Sequence, residues 1–145
     1  MLTDRGALRQ TFFDAWARFQ RHEPLTGAQS LIIEAALRHP EYHPILSAPE
    51  RYHEQEWQPE FGAVNPFLHL GLHIAIQEQL SVDRPPGIRS QHAALCTALG
   101  DAHKAEHCMM DCLAETLWQA QREHKAPDEA EYVRCVTAAA RGSRT

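Results

Sequence analysis

Apolar residues recur along most of this chain at intervals of three and four, and nowhere alternate cleanly with polar ones over the length of a strand. That period belongs to helices with one buried face, so the chain is expected to be all-α. The first helix is predicted from about Asp4 to Arg21, behind Thr3 as its cap, with Leu8, Phe12, Ala15, Trp16 and Phe19 as its core stripe. The second has the sharpest start. Thr26 and Gln29 have capping-box spacing, in which the hydroxyl and the amide each satisfy an N–H that the helix end leaves over. Its stripe is Ala28, Ile32, Ala35 and then His39, and Pro40 closes it by disfavouring helical geometry at the preceding residue.

From His43 to Val64 the pattern breaks at Pro44, Pro49, Pro59 and Gly62, and only Ser47 with Glu50 suggests a short helix. The third helix opens on Asn65 as N-cap with Pro66 in its first position and runs to about Ser81. It is apolar on nearly every side, which marks it as the buried central helix. The proline-rich loop DRPPGIR follows, with Arg84 and Arg89 flanking the turn and placed to meet Asp83 or an anion. A fourth helix, about Pro86 to Leu99, carries Ile88, His92, Leu95 and Leu99 on one stripe; Gly100 ends it and Asp101 caps the next. The fifth and longest, about Ala102 to His124, presents His103, His107, Met110, Ala114, Leu117 and Gln121, and a last helix, about Asp128 to Ala140, presents Tyr132, Cys135, Val136 and Ala139. The expected architecture is a single-domain helical bundle of about five to six helices, with residues 1–3 and about 141–145 as frayed ends.

Composition narrows the function classes. At 145 residues the chain has the size of one domain. A net charge of −5 with scattered basic residues argues against a nucleic-acid partner. The longest apolar run, Phe67 to Ile76, holds two histidines and is too short to span a membrane. The first residues mix charge with helical periodicity and show no export signal. A cytoplasmic location is therefore expected, with Cys96, Cys108, Cys112 and Cys135 as reduced, partly buried thiols that include no C-x-x-C pair.

The chemistry lies in the histidines. Ten are present, and six of them form i,i+4 pairs: His39/His43, His69/His73 and His103/His107. Residues four apart share a helix face about one turn up, so two imidazoles at that spacing can grip one ion. Short connections favour antiparallel neighbours, which makes the third and fifth helices parallel. Their histidine pairs both fall in the first two turns, at matching heights for a rise of ~1.5 Å per residue. His39 and His43 lead into the same end, and His92 lies at a similar level. Imidazole nitrogens suit zinc, iron, copper and nickel, whereas hard ions want carboxylates. The expected metal ligands are His69, His73, His103 and His107 with His39 or His43, and Glu106 is the first candidate among the carboxylates. A glycine-rich phosphate loop and a Ser/His/Asp or Cys/His constellation are absent. Cys108 and Cys112 lie on the far side of the wheel from His103 and are expected to pack against another helix.

The blocks HPEYH, NPFLHLGLHIAIQEQ, DRPPGIR and GDAHKAEHCMMDCLAETLWQAQ resemble a small bacterial family catalogued as a domain of unknown function, over nearly the whole chain. The resemblance implies a stand-alone bacterial protein of this length and brings no activity, ligand or catalytic residue with it. Two functional readings follow from the residues. One is a histidine-rich site for a transition metal, zinc or iron first, open to a small ligand or able to activate water. The other is a metal-free structural or protein-interaction domain with a hydrogen-bonded histidine core, to which Glu106, Asp111 and Tyr42 contribute.

Overall fold

Helix caps fix most of the element boundaries. The structure, a computed structural model, describes residues 4–57 and 65–142; Thr3, Pro59 and Gly62 lie outside them. The elements are α1 (Asp4–Gln20), α2 (Gly27–Leu37), a 3-10 turn (Pro40–Tyr42), α3 (His43–Leu46), α4 (Pro49–Tyr52), α5 (Pro66–Val82), α6 (Ile88–Leu99), α7 (Ala102–Glu123) and α8 (Glu129–Ala140). Among the described residues the fold is all-helical, with eight α-helices rather than five or six. The long helices are those the periodicity predicts, and the additional ones, α3 and α4, fall in the segment read as irregular. Each opens with proline in its first turn, where the missing N–H needs no partner. The chain forms two compact units, residues 1–74 and 75–145, and α5 gives its first half to one and its second half to the other.

In the first unit, Phe12, Phe13, Ala15 and Trp16 of α1 form a core with Ile32, Ile33, Ala35 and Ala36 of α2, joined by Leu46, Phe67 and Leu70. The Thr26–Gln29 capping box forms in full. Leu8, expected on the core stripe, is 48% exposed, and Arg9 is buried instead. The Arg9 guanidinium donates to the carbonyls of Tyr52, His53 and Gln55 at 3.3, 3.1 and 2.7 Å. It also lies over the rings of Trp57 and Phe67 at 5.2 and 4.9 Å. Carbonyls at and beyond the end of α4 thus meet a buried cation, and the aromatic faces stabilise its charge. This contact ties segment 52–57 to α1.

In the second unit α6, α7 and α8 pack on one another. Asp101 and Asp128 cap α7 and α8 by accepting backbone N–H groups, and Gly100 ends α6 at a positive φ of 67°. The buried line of α7 is Ala105, Met109, Cys112, Thr116 and Ala120, flanked by Glu106 and Met110. This corrects the sequence reading, because His103, Leu117 and Gln121 are exposed. Small residues won over larger ones: Ala105, Cys112 and Ala120 admit a neighbouring helix closely where Leu117 does not. Cys112 and Cys135 are joined in a disulfide between α7 and α8, Cα–Cα 5.8 Å, so the expectation of four thiols is also corrected. Residues 23 apart in sequence meet because α8 packs on α7, whose buried line is rich in small side chains. Tyr132 donates to the Gln79 amide oxygen at 2.6 Å, and burial holds its phenol far above its ordinary range. The turn after α5 uses Asp83, whose carboxylate accepts from the N–H groups of Gly87 and Arg89, while the Arg89 side chain donates to the carbonyls of Leu80 and Ser81. The Arg84–Pro85 peptide is cis. On α5, Leu68 is 57% exposed, so that helix is not covered on all sides as its apolar character suggested. No helix of the described residues is long and apolar enough to cross a membrane.

Three outcomes follow from this packing. Arg9→Ala should lower unfolding stability by about 3 kcal/mol in urea titration, because several buried carbonyls lose a charged donor. Reduction of the disulfide, or Cys135→Ser, should cost about 3 kcal/mol, the loop-closure value for a ring of this length. The backbone N–H groups of Lys104 and His103 hold the Asp101 carboxyl below its ordinary range. Its contribution is therefore complete above about pH 3.8 and lost as pH falls through the lowered value. The melting-temperature gap between wild type and Asp101→Ala should be open at neutral pH and close in acid.

Candidate metal centre

The end of α2 sets the first imidazole. Pro40 keeps His39 out of helical geometry, at φ −130° and ψ 69°. The backbone N–H of His39 still donates to Ala36 O at 3.0 Å, and the ring Nδ1 donates to Ala35 O at 2.9 Å. The last carbonyls of a helix lack intrahelical donors, and here a side chain two residues beyond the end supplies one. With its proton on Nδ1, neutral His39 presents a lone pair at Nε2. The ring is buried, and Tyr42 stacks on it at 5.5 Å and 7°. Burial first, and the Glu41 charge second, hold the Tyr42 phenol above its ordinary pKa.

His69 and His73 stand one turn apart on α5, which starts where Asn65 Oδ1 accepts from the N–H groups of Phe67 and Leu68. His73 is wholly buried and His69 partly so. His69 Nε2 lies 3.2 Å from His39 Nε2 and 3.2 Å from His73 Nε2. Ring nitrogens of the three residues fall within 4.8 Å of one another, which makes them a group able to hold a metal ion.

Counting protons shows what this arrangement lacks. In the neutral tautomers His39 Nε2 carries none, so its contact with His69 is a hydrogen bond only if His69 Nε2 donates. That same nitrogen then has no lone pair for His73. If His73 donates instead, the lone pairs of His39 and His69 face each other. Protons satisfy one of the two contacts well, whereas a cation at the centre satisfies every lone pair. The spacing also fits: nitrogens about 2.0–2.1 Å from a tetrahedral ion are about 3.3 Å apart. The donor set is nitrogen alone, which selects borderline transition ions over magnesium or calcium.

The remaining expected ligands stand as follows. His43 is turned away: its Nε2 donates to Ala36 O at 2.7 Å and its ring lies 4.5 Å from Trp16. His103 is exposed, and its ring meets that of the half-buried His107 edge-on at 4.2 Å. Glu106 is buried and accepts from the Gln77 amide at 3.1 Å. His92 Nε2 lies 3.5 Å from Cys96 Sγ on α6. The carbonyls of Ala35 and Ala36, which orient His39 and His43, were not identified from sequence. Their signal was present, since a helix ending just before a histidine leaves acceptors beside that ring.

Comparison with curated proteins and with solved structures finds no match in either. The model of the family described as "Domain of unknown function (DUF1841)" matches residues 4–138, from the start of α1 into α8. That span contains every histidine discussed above, and this chain belongs to that domain family.

Proposed function

We propose that this protein binds a transition-metal ion, zinc or non-haem iron, through His39, His69 and His73. The observation that carries the reading is the convergence of the Nε2 atoms of His39, His69 and His73 at 3.2 Å contacts on the central ring. Coordination would use all three lone pairs at once and add binding energy, where a ring proton serves one contact fully. Ala35 O acts as the outer partner that fixes the His39 tautomer and directs its donor nitrogen.

Within residues 75–145, the Gln77 amide is held by Glu106 at the start of α7. In this reading Glu106 orients the start of α7 and is not a ligand, and His43 serves α2 and Trp16. Three imidazole nitrogens would leave a bound zinc or iron with a position for water or a small molecule. The competing reading is a metal-free histidine core, with His69 donating to His39.

Elemental analysis of protein purified without a polyhistidine tag separates them. The expected result is close to one equivalent of a transition metal per chain, lost in His69→Ala, with a melting temperature that falls on chelation. Less than about a tenth of an equivalent, after incubation with zinc and with iron(II) under reducing, anaerobic conditions, leaves the metal-free core standing. Ligating imidazoles must be unprotonated, so metal-dependent stability should be complete above the free imidazole value of about 6.5 and lost as pH falls below it. Melting curves with and without chelator across pH 5–8 check this.

A further inference from the structure

We propose that Cys96 is a modification site: a nucleophilic thiol, with His92 as its base, that forms a mixed disulfide with a small-molecule disulfide. The inference rests on α6 alone and is independent of the metal reading. No Cys/His constellation was legible in the sequence, yet His92 and Cys96 are spaced i,i+4, which puts both side chains on one face of α6. Cys96 Sγ lies 3.5 Å from His92 Nε2, within hydrogen-bond reach for sulfur. A neutral imidazole with its proton on Nδ1 accepts the thiol S–H at that nitrogen. The pair lies at the edge of the buried stripe formed by Ile88 and Leu95, between that stripe and exposed Arg89 and Ala93. Both residues are half-buried, so packing limits the ring while the sulfur keeps a side toward solvent. Among the described residues no third histidine, cysteine or carboxylate completes a metal-binding group with them, which sets thiol chemistry above coordination.

In the exchange the Cys96 sulfur attacks one sulfur of the small disulfide, and its proton passes to His92 Nε2. A bond from Cys96 to that sulfur forms as the sulfur–sulfur bond of the reagent breaks. The departing sulfur leaves as a thiolate and takes the proton from the imidazolium. Cys96 is thereby oxidised to the mixed disulfide, half of the reagent is reduced to a thiol, and an incoming thiol reverses the step.

The experiment treats full-length protein with oxidised glutathione at neutral pH and follows each cysteine by peptide mass spectrometry. Cys96 should react about tenfold faster than N-acetylcysteine under the same conditions, despite its partial burial. His92→Gln keeps a polar side chain of similar size that cannot take the proton, and should slow Cys96 by about tenfold. Cys108 on α7, the other thiol outside the disulfide, should react at the same rate in both proteins. A substitution that merely loosened the fold would speed both thiols, so a loss of rate at Cys96 alone identifies the base. A wild-type Cys96 slower than N-acetylcysteine overturns the proposal. So does a Cys96 in His92→Gln that is unchanged or faster, or a slowing that Cys108 shares equally.

Discussion

A neutral imidazole has two nitrogens and one proton, and the placement of that proton at the end of α2 governs the candidate site. Ala35 O takes the Nδ1 proton of His39, which leaves a buried lone pair pointing at His69. One proton on the central ring can then serve only one of its two ring contacts fully. The same helix end uses Ala36 O to hold His43 in the opposite sense, through Nε2, and stacks it near Trp16. Two histidines four residues apart thus receive opposite tautomers from adjacent carbonyls, and only one is directed toward the cluster. A pair that looks symmetrical in sequence is split by the backbone between structural and chemical duty.

The scaffold behind this site is also organised by a polar group in an apolar setting. Arg9 is buried at 1% exposure and collects carbonyls from a segment with little regular structure of its own. A helix of four residues such as α4 cannot persist by propagation, since its hydrogen bonds barely exceed its nucleus. A fixed multivalent donor makes up the difference. Trp16 adds a second tether by donating to Ser47 Oγ at 2.9 Å. The segment that holds His43 is therefore anchored to α1 at two points, although its sequence predicts a loop.

Residues 75–145 solve a different problem. The buried line of α7 is rich in small side chains, which bring helices close but bury little apolar area each. The Cys112–Cys135 bond, and the Tyr132–Gln79 and Thr137–Gln91 hydrogen bonds, compensate by linking α8 to α7, α5 and α6. Larger apolar residues of the same helices, Trp118 at 56% and Leu99 at 40% exposure, stay outside.

The sequence by itself determined the helical class, the long helices and their caps, because these depend on local spacing and on side chains within a few residues of a backbone group. Thr26 with Gln29, Asn65, Gly100 and Asp101 all act as their positions predict. It also marked His39, His43, His69, His73, His103 and His107 as rings that could converge, and the nitrogens of His39, His69 and His73 are in contact. Which face of α7 turns inward, which of Leu8 and Arg9 is buried, and which cysteines meet were decided by tertiary structure. Each of those choices depends on the shape and hydrogen-bonding needs of a partner far away in the chain, and one turn of helical periodicity holds no information about either. The tautomer of each histidine is of the same kind: spacing can place a ring, but only the carbonyl beside it decides which nitrogen faces the centre.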